Sequence, residues 1–171
     1  NLPVYTDYLM DAGHHVGFTG RGWAPGIWER CGRTTNPAGN EYNKHTLTPP
    51  PHSLIGNTDY AANFQDFLDD WDRKSSFCFW YGIREPHRGY EFGEGRKNGK
   101  QLKEITQIPP YWPQTETVRE DMLDYAFEIE WVDKQIGKAL DMLDDIGQLH
   151  NTLIIATSDN GAPFPRVKGQ M

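Results

Sequence analysis

The chain has few cysteines and no long apolar stretch, and both shortages limit the classes of protein to which it can belong. It contains 2 cysteines in 171 residues. Cys31 lies in a polar, glycine-rich sequence and Cys78 lies within an apolar run, so the pair gives little support for a disulfide. No apolar run approaches the roughly 18 residues that a transmembrane helix needs, and we expect no membrane span.

Basic residues are also too few for a nucleic-acid surface. The 17 lysines and arginines are outnumbered by 24 aspartates and glutamates, which gives a net charge of −7 at pH 7. A protein of this charge would repel a phosphate backbone, so we expect no nucleic-acid partner. The hydrophobic content of 37% and the aromatic content of 13% are sufficient for one medium domain with its own core.

One junction near the end of the chain is the most informative part of the sequence. Residues 152–157 are apolar and partly β-branched, which predicts a buried parallel strand. Asp159, Asn160 and Gly161 follow, and open α/β sheets bind ligands just beyond the carboxyl ends of such strands. Carboxylate and amide oxygens suit Ca²⁺ or Mg²⁺. Because Asp, Asn and Gly are also common turn formers, an ordinary turn remains the alternative.

The rest of the sequence alternates predicted strands and helices. Further strands are predicted at residues 14–19 and 77–83, and helices at residues 3–12, 58–71 and 117–147. Thr58 is the predicted cap of the second helix. This alternation predicts an α/β fold with a mainly parallel sheet.

The longest predicted helix has two distinct faces. Thr117 and Glu120 have the spacing of a capping box at its start. Apolar residues then recur at intervals of three and four, from Val118 to Leu143, which predicts a stripe that packs against the sheet. Most of its acidic side chains are expected to be solvated. They are Asp124, Glu128, Asp133, Asp141, Asp144 and Asp145.

Four segments carry a resemblance to a known family. They are residues 8–23, 77–88, 125–133 and 151–169, which includes Ser158-Asp159-Asn160-Gly161. Their content and order resemble the sulfatase family of the alkaline-phosphatase superfamily, in particular the branch with heparan N-sulfatase and bacterial glycan sulfatases. The resemblance implies an alkaline-phosphatase-like α/β fold, a mainly parallel sheet flanked by helices. It also implies that residues 1–171 are part of a single catalytic domain, truncated at both ends.

The resemblance implies metal-dependent hydrolysis of sulfate esters or sulfamates on carbohydrates, by a periplasmic or secreted protein. Asp159 and Asn160 match the family's second pair of metal ligands, for Ca²⁺ or Mg²⁺. Lys168 matches the lysine that contacts the sulfate and the leaving group. His87 matches the histidine that donates a hydrogen bond to the ester oxygen and acts as a general acid, a task suited to a residue type that titrates near neutral pH.

Two departures from the family pattern leave alternatives open. Arg21 would bind sulfate where the family often has a lysine, and a guanidinium keeps the charge and adds a planar fork for oxyanions. Trp23 stands where the family often has a histidine, and an indole cannot perform that histidine's proton chemistry. The formylglycine nucleophile, made from a Cys-x-Pro/Ala-x-Arg cysteine, matches neither Cys31 nor Cys78. It is expected upstream, and we expect this segment alone to be inactive.

Two other functions therefore remain possible from the sequence. Phosphodiesterases and phosphonate hydrolases of the same superfamily share the metal scaffold and use a different nucleophile. A non-catalytic glycan-binding relative would also explain Trp23 and the aromatic pair Tyr111 and Trp112. The negative net charge does not oppose a sulfated carbohydrate partner, because a pocket needs only a few well-placed cations.

Overall fold

The computed structural model describes residues 2–24 and 26–168 of the chain. These residues fall into two compact units. The first comprises the chain up to residue 49 together with residues 56–84, and the second comprises residues 50–55 and the chain from residue 85 onwards.

The first unit contains a small parallel sheet. Its strands are β1 (His15–Gly20), β2 (Asn40–Glu41) and β3 (Phe77–Gly82), in the order β2-β1-β3. Both neighbours pair with β1 in parallel, with Gly17 opposite Asn40 on one side and Phe79 on the other. Helices α1 (Tyr5–Asp11) and α2 (Tyr60–Asp70) belong to the same unit. The predicted mixed α/β architecture with a parallel sheet is confirmed.

Aromatic side chains from α2 form the core against this sheet. Phe67 is fully buried, and its ring centroid lies 4.4 Å from that of Phe79 on β3 and 5.5 Å from that of Tyr42. A Cβ atom at Gly17 would lie 2.8 Å from the Tyr42 ring and 2.9 Å from the Phe67 ring. Glycine is therefore needed on β1 to let these rings approach, and this packing holds α2 against β1 and β3.

The cap of α2 differs from the prediction by one residue. Asp59, not Thr58, is the cap, and its carboxylate accepts a hydrogen bond from the backbone N–H of Ala62 at 3.0 Å. Thr58 instead forms an antiparallel bridge with Thr46. Because a bridged backbone is extended, Thr58 belongs to the preceding segment and the helix begins after it.

The second unit is organised by one long helix. Its helices are α3 (Glu94–Lys97) and α4 (Glu116–Asp145). The predicted cap of α4 at Thr117 is wrong, because Thr115 caps the helix by accepting the Val118 backbone N–H at 3.3 Å. Thr117 lies inside the first turn. No helix in the described ranges has the length and apolar character that crossing a membrane requires.

The prediction for the faces of α4 is partly wrong. The acidic residues from Asp133 onwards are exposed as expected, but Asp124 is fully buried and Glu128 is only 2% exposed. Ile129, predicted within the apolar stripe, is 42% exposed. The buried side chains of the helix are Glu120, Leu123, Asp124, Glu128, Trp131, Gln135, Ala139 and Leu143. The reason is that Asp124 and Glu128 accept backbone hydrogen bonds from residues 87–95, a segment that is mostly irregular.

The predicted buried strand at residues 152–157 is not present in the described structure. The segment has neither helix nor strand assignment, and Leu153, Ile154 and Ile155 are 85%, 47% and 76% exposed. A strand needs a neighbour that pairs its N–H and C=O groups, and apolar side chains alone do not supply one. The acidic turn that follows the segment therefore takes its position from other contacts.

Candidate active site

Arg21 follows β1 at the carboxyl edge of the sheet in the first unit. Its backbone N–H donates to the Gly82 carbonyl at 2.7 Å, and its own carbonyl accepts the Trp80 indole N–H at 2.8 Å. A Cβ atom at Gly82 would lie 2.1 Å from the Arg21 carbonyl oxygen, so only glycine fits at the end of β3. Arg84 follows β3, and both arginine side chains are exposed. Two cations thus stand where open α/β sheets bind ligands.

Asn43 holds the turn that carries Arg21, a role that the sequence did not indicate. Its side-chain oxygen accepts the backbone N–H of Gly20 at 2.6 Å and the Thr19 hydroxyl at 3.1 Å. Its amide nitrogen donates back to the Gly20 carbonyl at 3.2 Å. Trp23, two residues beyond Arg21, is 47% exposed. The backbone before Arg21 is thus fixed, and its side chain is free to reach a ligand.

His87 is held at two points in the second unit. Its backbone N–H donates to Oε2 of Glu128 at 2.7 Å. The backbone N–H of Gly89 donates to Nδ1 of the His87 ring at 3.3 Å. A backbone N–H can only donate, so Nδ1 acts as the acceptor and the neutral ring carries its proton on Nε2. The ring is exposed, and its Nε2–H can donate to a bound oxyanion.

This tautomer favours one of the two roles implied for His87. A neutral ring protonated on Nε2 is a hydrogen-bond donor, suited to an ester or sulfuryl oxygen. General acid catalysis would require a second proton on Nδ1, where the N–H of Gly89 already points. The geometry thus offers a hydrogen-bond donor at Nε2, and the general-acid role of His87 stays a prediction.

Glu128 is an unusual carboxylate because of its surroundings. Burial is the main cause that raises its pKa from 4.5 to about 7; the hydrogen bond from the His87 backbone opposes the increase, and the nearby charges of Glu94 and Glu85 contribute to it. Burial likewise raises the pKa of Asp124 on the same helix. An acidic group whose pKa is raised towards neutrality beside a candidate site residue is a mark of functional sites.

The predicted metal ligands and Lys168 lie near the two ends of one loop, residues 159–168. A Cβ atom at Gly161 would lie 2.7 Å from the carbonyl oxygen of Val167. The backbone thus closes on itself at these two residues, one of which follows Asn160 and the other precedes Lys168. Asp159, Asn160 and Lys168 all have exposed side chains. The loop therefore brings the backbone next to Lys168 close to the backbone next to Asn160.

Phe164 anchors this loop to the rest of the second unit. The residue is 5% exposed, with ring centroids 4.8 Å from Trp112 and 5.4 Å from Tyr125 on α4. The indole N–H of Trp112 also donates to the Pro165 carbonyl at 2.9 Å. These contacts hold the loop in the absence of strand pairing at residues 152–157.

The turn that carries His87 meets the same loop at Phe164. The guanidinium carbon of Arg88 lies 5.5 Å from the centroid of the Phe164 ring. Arg88 also donates to both carboxylate oxygens of Asp121, at 2.6 and 2.7 Å, so much of its charge is already neutralised. The structure therefore brings together the neighbourhoods of His87 and Lys168, and Arg88 serves to join them.

The oxygen donors of the loop fit a hard cation in type. Oδ1 of Asp159 accepts a hydrogen bond from the side-chain amide of Asn160 at 2.7 Å. Ca²⁺ takes about six to eight oxygen ligands and Mg²⁺ about six, so these two residues could supply only part of a coordination shell. Across residues 2–24 and 26–168, no group of three or more His, Cys, Asp or Glu residues could hold a metal ion.

Comparisons with known proteins agree with the resemblance in the sequence. The family model described as Sulfatase matches residues 13–170. A protein named "Ulvan-active sulfatase" from Formosa agariphila is 44% identical over 61 residues, which cover 36% of this chain and 10% of that protein. The human "N-sulphoglucosamine sulphohydrolase" is 29% identical over 119 residues, which cover 58% of this chain and 24% of that protein. The chain thus spans at most about a quarter of either relative, and no solved structure gives a significant match.

Proposed function

This chain belongs to the sulfatase family, and from that premise we propose that the full-length protein hydrolyses sulfate esters or sulfamates on sulfated glycans. The fold is that of the family, an alkaline-phosphatase-like α/β arrangement whose parallel sheet and helices are described above. The observation that carries the proposal is the family match over residues 13–170. Both relatives bear the names of sulfate-removing enzymes, which supports sulfated carbohydrates as the substrate class.

The chain's own residues would then bind and orient the sulfuryl group. His87 would donate from Nε2 to a sulfuryl or ester oxygen. Lys168 would place its ammonium group on the sulfate and the leaving oxygen, and Arg21 would add a second cation. Positive charge fixed before the reaction stabilises negative charge that develops on these oxygens.

Asp159 and Asn160 would hold a divalent cation in this proposal. When bound, Ca²⁺ or Mg²⁺ supplies positive charge that neutralises the sulfuryl oxygens. Asp159→Ala should abolish turnover in the full-length protein and weaken calcium binding measured by calorimetry. Asp141→Ala, an exposed carboxylate on α4, should change neither. Near-wild-type activity of the Asp159 variant would contradict the ligand assignment.

The activity itself is tested by measuring released sulfate. The full-length protein is incubated with a panel of O-sulfated and N-sulfated glycans, with phosphodiesters and phosphonates as parallel substrates. We expect inorganic sulfate to appear. Phosphate or phosphonate products would instead indicate a phosphoester or phosphonate hydrolase. Glycan binding without any product would indicate a non-catalytic relative.

We also propose that the full-length protein acts in the periplasm or outside the cell. This rests on the family resemblance alone. Fractionation of the source cells should recover it outside the cytoplasm, and recovery only from the cytoplasm would contradict this part of the proposal.

A further inference from the structure

We propose that Glu128 is the positioning residue for His87, and that its carboxylate sets where the Nε2–H of the ring can donate. The inference rests on the function proposed for His87 above. It concerns a residue of α4 that carries no role in the sequence resemblance.

The first step of the argument is the placement of Glu128. Its side chain is only 2% exposed, and burying a carboxylate is costly unless it gains strong partners. The partner is the backbone N–H of His87 at 2.7 Å, a short distance typical of hydrogen bonds to charged acceptors. Glu94 and Glu85 oppose the charge of Glu128. The cost of burying this carboxylate is thus offset, at least in part, by its hydrogen bond with His87.

The second step is the location of that hydrogen bond. His87 and Gly89 lie in a segment without regular secondary structure, so no strand or helix fixes them. Glu128 holds the backbone of His87, and the N–H of Gly89 holds Nδ1 of its ring. The long helix α4 thus fixes the backbone from which the ring projects, and Gly89 orients the ring within the turn.

The third step distinguishes a positioning role from a merely structural one. A donor on the leaving oxygen matters most when the leaving group is a poor one, such as a sugar hydroxyl. It matters little for 4-nitrophenyl sulfate, whose phenolate leaves unaided. Loss of folded enzyme would lower activity on both substrates by the same factor. Displacement of His87 would lower it selectively, and a misplacement of about 1 Å can cost about 100-fold.

The experiment compares Glu128→Leu and Glu128→Gln in the full-length protein. Leucine fills the space without an acceptor, and glutamine keeps one oxygen for the His87 N–H. We expect Glu128→Leu to lower kcat on a sulfated sugar by about 10- to 100-fold, with KM changed less and with a smaller loss on 4-nitrophenyl sulfate. Glu128→Gln should restore most of the kcat.

A matched control comes from one turn earlier in α4. Asp124 is also fully buried, and it also accepts backbone N–H groups, from Gly93 at 2.7 Å and Gly95 at 2.9 Å. Asp124→Leu should lower the melting temperature as Glu128→Leu does, without the selective loss on the sugar substrate. Equal losses on both substrates in Glu128→Leu, or the same selective loss in Asp124→Leu, would overturn the proposal.

A second measurement separates this proposal from the function it rests on. In protein labelled with ¹⁵N-histidine, NMR at a pH where the ring is neutral should show the proton of His87 on Nε2. Glu128→Leu should mix the two tautomers and expose the His87 amide to hydrogen exchange, whereas Glu128→Gln and Asp124→Leu should not. If wild-type protein releases no sulfate but these spectra hold, the proposed function fails and the positioning stands. Unchanged spectra in Glu128→Leu would overturn the positioning whatever the activity.

Discussion

Glu128→Gln should remove a large part of the pH dependence of stability between pH 5 and pH 8. Burial first, and then Glu94 and Glu85, raise the pKa of Glu128 from 4.5 to about 7 in the folded chain. The folded state therefore holds a proton that the unfolded state has already released. Stability is fully present below pH 4.5 and is lost as the pH rises through about 7. Glutamine does not titrate and cannot contribute this slope.

The magnitude follows from the difference between the two pKa values of Glu128. An increase from 4.5 to about 7 corresponds to about 3 kcal/mol, at roughly 1.4 kcal/mol for each pH unit. Most of this, about 2 to 3 kcal/mol, falls between pH 5 and pH 8. The hydrogen bond from the His87 backbone lowers the pKa of Glu128, and the value of about 7 already includes this effect.

The assay is denaturant-induced unfolding of wild type and variant at pH 5 and pH 8. The difference in free energy of unfolding between wild type and Glu128→Gln should change by about 2 to 3 kcal/mol between these conditions. Asp133→Asn, at an exposed position of the same helix, should show a difference that changes by less than about 0.5 kcal/mol. A Glu128→Gln difference that is equal at both pH values would refute the reasoning about burial and repulsion.

Three further substitutions test how the loop of residues 159–168 is held. Gly161→Ala should destabilise the loop by about 1 to 3 kcal/mol, because the new methyl group would lie 2.7 Å from the Val167 carbonyl oxygen. The control is Gly137→Ala, where the methyl group meets no atom within 4 Å. This control should stabilise α4 by about 0.5 to 1 kcal/mol. Phe164→Ala should cost about 3 to 5 kcal/mol of local stability, seen as faster proteolysis within the loop. Trp112→Phe removes the indole N–H donor and part of the ring that packs against Phe164, and it should cost at least about 1 kcal/mol, seen as faster hydrogen exchange in the loop. Unchanged loop exchange in the Gly161 and Phe164 variants would contradict the packing described for them.

The sequence predicts β1 and β3 correctly because each of these strands has the other as its pairing partner. The β3 segment is apolar, and its edges at Phe77 and Gly82 differ from the prediction by at most one residue. The helix caps are harder to locate from the sequence. Thr115 and Thr117 both precede helical sequence, and only the hydrogen bond to Val118 decides between them. The cap residue is set by the position at which the backbone becomes helical. Packing determines that position, and the spacing of residues in the sequence does not reveal it.

The segment 152–157 shows the limit of apolar patterns more clearly. Its residues have the composition of a buried strand, yet Leu153 is 85% exposed. Composition reports what a segment would do beside a partner, and it carries no information on whether one is present. The position of Asp159 and Asn160 consequently depends on Phe164 and Gly161. The sequence feature that corresponds to this anchor is Phe164, an aromatic residue between two prolines. The sequence does not indicate which residues it contacts.

The acidic face of α4 explains why the sequence does not single out the buried carboxylates beside the candidate site. Glu120, Asp124 and Glu128 are spaced four residues apart, which on any helix predicts one face, and a charged face is ordinarily solvated. Here the neighbouring segment lacks helix or strand through much of residues 87–93, and its N–H groups still need acceptors when they are buried. Glu128 and Asp124, one turn apart, supply such acceptors to His87 and Gly93, and Glu120 accepts from the Arg96 side chain. A row of acids that faces a glycine-rich stretch is therefore a candidate scaffold for that stretch, and His87 lies at the end of the row.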